Sequence, residues 1–410
     1  LGTEADVIDL CEDRERFNAL LNKLNIRQPV GAMVHSRAEA QSAADAIGFP
    51  LLVRPSYVLG GRGMKICYTQ QDFDVALNEA LDVSDAHPVL IDAYLEMATE
   101  YDVDALADGH EVYIAGIMEH IEEAGVHSGD SSCVIPPVYL PTHLKAEMID
   151  VTQKIALEIG VIGVVNIQFA IKDNTLYVIE VNPRASRTLP FVSKARGLSF
   201  AKIATALCLG QRLKDMNLPE PVGKGLFFIK TPVFPWQRFD IDDVALSPEM
   251  RSTGEVMGVG RSFGEAYAKA LIGAGMKLPL EGGVFLSVRD QDKSLIDKIA
   301  GPLYSMGYKL YATQGTHKAI SDLGIPCTRV NKVGEGRPNI VDDVRNGSIQ
   351  LMINTPLGKK SIHDEAAMRL AGLRFGIPCI TTFNAALAAV QALRSLRAQE
   401  LRVINLQEIK

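Results

Sequence analysis

The 410-residue chain lacks the features that mark membrane proteins and disulfide-stabilised secreted proteins. No apolar run reaches the ~18 residues that a membrane-spanning helix needs, and no secretory signal opens the sequence. The six cysteines show no paired spacing, which argues against a zinc site or a disulfide framework and favours reduced thiols. We therefore expect a cytoplasmic protein with no membrane partner.

The chain also lacks an excess of positive charge. Its formal net charge is −7, which argues against non-specific nucleic-acid binding, so any anion site must be built locally. Neither the Walker A motif nor the dinucleotide-binding fingerprint is present. The chain opens without an initiator Met and inside a helical pattern, and we expect it to be a fragment of a longer protein.

The most informative stretch runs from Asn166 to Arg187 and alternates like a β-hairpin. Two registers are open. A two-residue turn at Asp173-Asn174 pairs Gln168 with Ile179 and separates Gln168 from Glu180 on opposite faces. A three-residue loop, Asp173 to Thr175, pairs position 168 with 180 and 166 with 182.

We choose the three-residue loop because a one-residue slip would bury polar groups on the core face. The apolar face then sets Ile167, Phe169 and Ile171 opposite Val181, Ile179 and Tyr177.

This register brings three oxygen donors, Gln168, Glu180 and Asn182, to one face. Hard oxygen ligands with a single charge suit Mg²⁺ that keeps water and is shared with phosphates. Arg184 and Arg187 follow in the next loop, where guanidinium groups can stabilise a transferring phosphoryl group. The alternative is a solvated polar face on an amphipathic hairpin.

Three further segments are candidates for nucleotide binding. Arg54 precedes a glycine-rich loop, residues 56–64, that can cradle phosphate, although a tight turn is the simpler interpretation. The strand and exit over residues 88–95 can offer backbone groups and apolar walls to a purine. A polar loop over residues 119–132 is long enough to close over a nucleotide. Between them, we expect Asp102 and Asp104 to form a solvated strand face.

Residues beyond a small-residue boundary at 273–283 alternate between strands and helices, which indicates a doubly wound parallel sheet. The segment from Thr313 to Thr316 lies where a strand ends and a helix starts, which favours anion binding. Polar residues at the same expected edge are Lys293, Lys332, Asn354 and Thr355. We infer a binding module for a phosphorylated effector; the alternative is ordinary loop residues.

Four motifs in order carry a family resemblance: SYVLGGRG at 56–63, MEHIEEAGVHSGDS at 118–131, VIEVNPRASR at 178–187 and MRSTGEVMG at 250–258. The chain resembles the C-terminal half of the carbamoyl phosphate synthetase large subunit. The implied fold is α/β and α+β: an ATP-grasp domain at 1–275, then a doubly wound parallel-sheet, methylglyoxal-synthase-like allosteric domain at 276–410. Residues 1–17 would be the tail of a missing preceding domain.

The resemblance also implies roles for individual residues. The ATP-binding positions would be Arg54, Ala93, Leu95, Glu100, Gly125, Val126, His127, Ser128, Gln168 and Glu180. The metal ligands would be Gln168, Glu180 and Asn182, and the catalytic residues Asn182, Arg184 and Arg187. The effector positions would be Lys293, Thr313, Thr316, Lys332, Asn354 and Thr355. Pro356 replaces a threonine of bacterial members and Thr231 a glutamate of ornithine-activated ones, which leaves the effector open and argues against ornithine.

The implied activity is ATP-dependent phosphorylation of carbamate, in arginine and pyrimidine biosynthesis. It would use ATP, Mg²⁺ or Mn²⁺, and K⁺ near the polar loop. Implied partners are the N-terminal synthetase half, a glutaminase small subunit, a nucleotide effector such as UMP or IMP, and further copies in a homo-oligomer. Two alternatives are another ATP-grasp ligase, such as a carboxylase subunit or purine-pathway ligase, and a non-catalytic nucleotide-sensing fragment.

Overall fold

The computed structural model describes residues 1–55, 60–83, 88–219, 225–236, 243–355, 358–403 and 405–409, without the side chains of 82–83 and 358–364. Positions 56–59 of the predicted glycine-rich loop, and Pro356, lie outside these ranges. The chain forms two compact units. The first contains Leu1–Phe228, Pro248–Met250 and Val403–Lys410, and the second contains Ile229–Ser247 and Arg251–Arg402.

The secondary structure is mixed throughout. The helices are α1 Ala5–Glu12, α2 Arg14–Lys23, α3 Arg37–Ile47, α4 Gln70–Val83, α5 Thr142–Glu158, α6 Leu189–Arg196, α7 Phe200–Cys208, α8 Phe263–Gly273, α9 Asp297–Ser305, α10 Gln314–Asp322, α11 Ile340–Arg345, α12 Gly358–Arg374 and α13 Phe383–Ala398. The strands are β1 Gly31–Val34, β2 Leu51–Pro55, β3 Lys65–Cys67, β4 Val89–Ala93, β5 Thr99–Asp108, β6 Val112–Glu123, β7 Cys133–Ile135, β8 Ile162–Lys172, β9 Thr175–Asn182, β10 Phe227–Val233, β11 Gly254–Gly260, β12 Gly283–Val288, β13 Lys309–Ala312, β14 Thr328–Arg329, β15 Leu351–Thr355 and β16 Cys379–Ile380. No helix within the described ranges is both long and apolar enough to cross a membrane.

The first unit contains two antiparallel layers. A small sheet in the order β1-β4-β2-β3 packs its apolar face against α3 and α4. The strands of a larger sheet run in the order β7-β6-β5-β8-β9, and each pair of neighbours is antiparallel. One face of this sheet packs against α2 and α5 in an apolar core, here called the main cluster, and the opposite face carries the polar residues described below.

The second unit contains the predicted parallel sheet, in the order β14-β13-β12-β15-β16. Its central strand β12 is buried along its whole length, as expected for a parallel strand covered on both faces. Helix α13 packs closely against α8 at Gly264. A methyl group added there would lie only 2.4 Å from the carbonyl oxygen of Gln391. A 3₁₀ turn, Asp290–Leu295, follows β12 and leads into α9.

Candidate functional site

The β8–β9 hairpin closes with the turn that we rejected from the sequence. Asp173 and Asn174 form a two-residue turn, with φ angles of 49° and 58°. Positive φ at both positions is the signature of a type I′ turn, and Asp and Asn tolerate it better than most residues. The predicted three-residue loop is therefore wrong.

The predicted pairing at the far end of the hairpin is nevertheless confirmed. Gln168 pairs with Glu180, and Asn166 pairs with Asn182. Near the turn, the two strands pair in the register of the two-residue turn. A β-bulge at Ile179 then shifts the pairing by one residue, so that beyond it the strands follow the predicted register.

The bulge changes which residues of β9 face the core. Val178 and Leu176 are buried in the main cluster, in place of the predicted Ile179 and Tyr177. Ile179 turns to the opposite face, where it packs with small apolar residues. The bulge therefore builds part of the site as well as setting its register.

The three predicted metal ligands lie on this polar face in different degrees of exposure. Gln168 is buried and its Nε2 donates to Glu100 Oε2 over 3.2 Å. Asn182 is half-buried and donates from Nδ2 to Glu180 Oε1 over 2.9 Å, while Glu180 itself is exposed. Two amides and one open carboxylate fit a Mg²⁺ ion that keeps several waters. Within the described ranges, no three His, Cys, Asp or Glu side chains form an alternative metal-binding group.

Both predicted catalytic arginines lie at the same end of the hairpin. The exposed Arg184 donates from one terminal nitrogen to Asn182 Oδ1 over 2.9 Å. Arg187 contacts the sulfur of Met250, and a methyl group added to Gly129 would lie 3.3 Å from one of its terminal nitrogens. Arg184 thus adjoins the metal-ligand set, and Arg187 adjoins the polar loop.

A buried polar layer supports this face. Asp102 pairs across the sheet with Gln168, and Asp104 pairs with Asn166. Asn166 Nδ2 donates to both carboxylates, over 3.1 Å to Asp102 and 3.0 Å to Asp104. His120 lies 2.8 Å from Asp102 through Nε2. The expected solvated strand face is wrong, because Asp102 and Asp104 are both buried beneath the site.

Burial and neighbouring groups shift the pKa values of two members of this layer. Burial raises the pKa of Asp104 to about 6, although hydrogen bonds from Thr188, Ser186 and Asn166 favour its charged form. Burial alone lowers the pKa of His120, but neighbouring groups that include Asp102 raise it well above its usual value. The raised pKa favours the protonated form of His120 beside Asp102.

An apolar cluster continues the same face beyond Gln168. It contains Leu95, Ala98, Ala124, Ala170 and Ile179. Ala124 N donates to Ala98 O over 3.0 Å, which ties the strand exits together. A purine ring can pack on an apolar surface of this kind.

The backbone at Gly125 admits only glycine. Its φ is +93°, and a methyl group there would lie 2.5 Å from the hydroxyl of Tyr94. That hydroxyl donates to Ala124 O over 2.6 Å. The start of the polar loop is therefore held close to the end of β4 and the residues that follow it, where the predicted nucleotide-binding positions Ala93 and Leu95 lie.

The polar loop is shorter than predicted, because β6 continues to Glu123. His127 organises the remainder: its Nδ1 accepts from Gly129 N over 3.0 Å, and its carbonyl oxygen accepts from Asp130 N over 2.8 Å. Val126 is buried, whereas Ser128 is half-buried. These contacts favour a structural role for the His127 ring beside any role towards a nucleotide.

The predicted phosphate ligand Arg54 lies on β2 and faces Asp92. Its Nε is 3.4 Å from Asp92 Oδ2, and Arg14 occupies the other oxygen over 2.7 Å. Asp92 and Arg14 are both buried, so this carboxylate holds Arg54 at the strand end.

The sequence analysis did not identify Asp92, Asp102, His120 or Asn166 as residues of the site. The alternation of acids on β5 was the available signal.

In the second unit, parallel strands bring the predicted effector residues to one edge. Asn354 and Thr355 end β15, and Thr313 follows β13 as the N-cap of α10. Lys293 lies over the start of α10, since a methyl group on Gly315 would be 2.5 Å from its Nζ. This edge is where a doubly wound sheet binds ligands.

Most of these predicted effector residues are buried and hydrogen-bonded within the protein. Thr316 accepts from Val288 N over 3.0 Å, and Thr355 donates to Asp292 over 3.0 Å. Asn354 is fully buried, with its nitrogen donating to Glu365 and its oxygen accepting from Arg369. Of the six, only Lys293 and Lys332 have substantially exposed side chains.

Comparison with known proteins gives matches along the whole chain. Residues 13–216 match the model of the carbamoyl-phosphate synthase L chain, ATP binding domain, and residues 296–381 match that of the MGS-like domain. The sequence is 49% identical over 409 residues to the carbamoyl phosphate synthase large chain of Archaeoglobus fulgidus, covering 100% of this chain and 38% of that protein.

A shorter relative matches over most of its own length. The carbamoyl phosphate synthase large chain, C-terminal section, of Aquifex aeolicus is 46% identical over 431 residues, covering 100% of this chain and 80% of that protein. Among solved structures, an ADP complex of N5-carboxyaminoimidazole ribonucleotide synthetase has a TM-score of 0.51 at 14% identity, covering 64% of this chain and 70% of that one. The last likeness is one of fold alone.

Proposed function

Because the chain belongs to the carbamoyl phosphate synthase large chain family, we propose that its hairpin site phosphorylates carbamate with ATP. The chain spans 38% of the length of the full-length relative from Archaeoglobus fulgidus, and we propose the activity for the first unit. The observation that carries the proposal is the pairing of Gln168 with Glu180 and of Asn166 with Asn182, which aligns the ligand set beside Arg184.

In the proposed reaction, a carbamate oxygen attacks the γ-phosphorus of ATP, and the bond from that phosphorus to the β–γ bridging oxygen breaks. The products are carbamoyl phosphate and ADP. Phosphoryl transfer needs alignment and charge neutralisation more than covalent participation by the protein. A divalent ion held by Gln168, Glu180 and Asn182 would supply part of that neutralisation.

The protein's own groups would align the two substrates. The apolar cluster around Ile179 would bind the purine, and Arg54, held by Asp92, would bind phosphate oxygens. Arg184 and Arg187 would hold the carbamate and the transferring phosphoryl group. The buried acids of β5 and His120 would keep Gln168 and Asn166 in place through their hydrogen bonds and ion pairs.

The direct test is the reverse reaction, in which ATP forms from ADP and carbamoyl phosphate. We expect Glu180→Gln to lower this rate by at least about a thousandfold, because the proposed set of metal ligands loses its one carboxylate. The loss of folding stability should be small because Glu180 is exposed. Magnesium-dependent ATP binding, measured by calorimetry, should weaken in the same variant.

Glu147→Gln provides a matched control, because Glu147 is exposed on α5, which packs on the opposite face of the sheet. It should keep the wild-type rate. A near wild-type rate in Glu180→Gln would overturn the residue assignment. ATP turnover with another acid in place of carbamate would favour a different ATP-grasp ligase, and ATP binding without turnover would favour a sensing role.

The finer proposals rest on the family. Residues 1–275 would form the carbamate-phosphorylating domain, with 1–17 the tail of a preceding domain, and residues 276–410 the allosteric domain. The metal would be Mg²⁺ or Mn²⁺, K⁺ would bind near the polar loop, and the edge of the second sheet would bind a nucleotide such as UMP or IMP. The N-terminal half, a glutaminase subunit and further copies of the chain would be the partners.

A further inference from the structure

A buried carboxylate occupies the pocket that we propose for a phosphorylated effector. Glu365, on α12, accepts from Lys332 Nζ over 2.7 Å and from Asn354 Nδ2 over 2.6 Å. Both donors are predicted effector ligands. Arg369 lies 3.8 Å away on the same helix. The carboxylate therefore accepts hydrogen bonds from groups that an anionic ligand would use.

Because the Glu365 carboxylate is buried, its hydrogen bonds to Lys332 and Asn354 are costly to break. The Glu365 side chain is 5% exposed, so it has little water to replace Lys332 or Asn354. Removing one partner from such a pair leaves a poorly solvated charge, which is much costlier than breaking an exposed pair. Lys332 is 38% exposed, so its ammonium remains accessible to a ligand from solvent.

A second lysine of the pocket is paired in a different way. Lys293 also contacts a carboxylate, that of Asp290, but the Asp290 side chain is 93% exposed. Water can replace an exposed partner at little cost, and such pairs contribute little. The pocket thus offers two lysine–carboxylate pairs, one with a buried carboxylate and one with an exposed carboxylate.

We propose that Glu365 is an internal anion that competes with the effector for Lys332, and that it sets the affinity of the pocket for phosphorylated ligands. This inference rests on the proposed effector function of the second unit. A ligand must replace the Glu365 carboxylate at Lys332 with a negative group of its own. A nucleoside monophosphate can do so, whereas the uncharged nucleoside cannot.

The test compares UMP, IMP and uridine binding to the wild-type chain and to Glu365→Gln by titration calorimetry. Glutamine keeps the shape but removes the charge, so Lys332 becomes available. We expect nucleotide affinity to rise about tenfold or more, the size expected of a charge-assisted hydrogen bond. Uridine binding should change less than about twofold, since a neutral ligand gains no such bond.

Asp290→Asn is the matched control, because it removes the same charge beside the other lysine. It should change nucleotide affinity by less than about twofold. In the double variant Glu365→Gln/Lys332→Gln, the gain should disappear. Emission from Trp236, the single tryptophan and a member of the second unit, reports whether each variant is folded. If Glu365→Gln misfolds, Glu365→Asp replaces it, and a smaller gain of a few-fold is expected.

The outcomes separate this inference from the effector proposal. Unchanged or weaker UMP and IMP binding in Glu365→Gln, while the wild type binds, overturns the role of Glu365 and leaves the effector site intact. An equal gain in Asp290→Asn also overturns it. If neither nucleotide binds either protein, the effector proposal itself fails, and this inference fails with it.

Discussion

The two candidate sites differ in where their predicted ligand-binding residues lie. On the hairpin, Glu180 and Arg184 are exposed, and a separate buried layer of acids and amides supports them. At the edge of the parallel sheet, Asn354 and Thr355 are themselves buried and hydrogen-bonded within the protein. The exposed groups of the proposed hairpin site would bind a ligand with little rearrangement, although Gln168 there is buried. A ligand at the proposed second site would have to replace hydrogen bonds within the protein.

This difference has a consequence for function. A site whose ligand groups are already open suits catalysis, because little reorganisation precedes the reaction. A site in which binding breaks internal contacts links occupancy to a change in the protein, which is what regulation requires. Replacing a ligand residue should therefore cost activity in the first unit and stability in the second.

The largest expected effect is on stability, in Arg369→Met. The guanidinium is fully buried and bonds Asp243 and Asn354, so its loss removes the positive charge beside the Asp243 carboxylate and the donor to the Asn354 oxygen. We expect the free energy of unfolding to fall by about 3–5 kcal/mol. The measurement is urea unfolding followed by the emission of Trp236, in the same unit.

Two arginines serve as controls for that prediction. Arg374 is exposed at the end of the same helix, and Arg184 is exposed at the hairpin. Methionine at either position should change the unfolding free energy by less than about 0.5 kcal/mol. A loss in Arg184→Met equal to that in Arg369→Met would remove the distinction between the two sites.

The hairpin shows how much of a site can be predicted from a sequence. The polar face and the pairing of Gln168 with Glu180 were predictable, because alternation and the need to bury apolar residues constrain the strands. The turn was not, because we assumed a regular ladder. A bulge at Ile179 breaks the alternation locally, and the pattern of residue types gives no sign of it.

The buried acids show a second limit. Asp102 and Asp104 alternate with apolar residues, which indicates a strand with one solvated face. The structure covers that face as well. Asn166 and His120, on neighbouring strands, supply the hydrogen-bond partners of the buried carboxylates. Compensation between strands far apart in sequence cannot be found from local pattern. The parallel sheet of the second unit was predictable, since its buried strands alternate with helices.

The next prediction concerns pH and tests the buried layer. The pKa of Asp104 is raised to about 6, so the folded state holds the proton more tightly than the unfolded state. Its contribution to stability is therefore present at low pH and is lost as pH rises from about 4 through 6. The expected loss is on the order of 2–3 kcal/mol, measured by urea unfolding with circular dichroism at several pH values.

Asp104→Asn should flatten this dependence, because asparagine resembles the protonated acid. Asp108 on the same strand provides a control of opposite sign. Although burial acts to raise its pKa, backbone N–H groups that include that of Leu213, together with the Arg212 side chain, lower it. Asp108→Asn should therefore leave the dependence between pH 4 and 7 unchanged. If Asp104→Asn leaves it unchanged too, Asp104 is ionised in the folded protein, and the hairpin's buried layer is charged throughout.

The smallest expected effect concerns the apolar cluster at one end of the hairpin face. The predicted ligands of the second site include no apolar residue. Ile179→Ala removes side-chain surface that packs with Ala98, Ala124 and Ala170, and we expect ATP affinity to fall about three- to tenfold. Ile171→Ala is the control, since Ile171 packs on the opposite face in the main core and should lower stability without changing ATP affinity. A loss of affinity confined to Ile179→Ala would mean that the bulge serves substrate binding as well as register. Equal affinity in both variants would mean that the bulge only brings Glu180 opposite Gln168, and that the purine binds elsewhere.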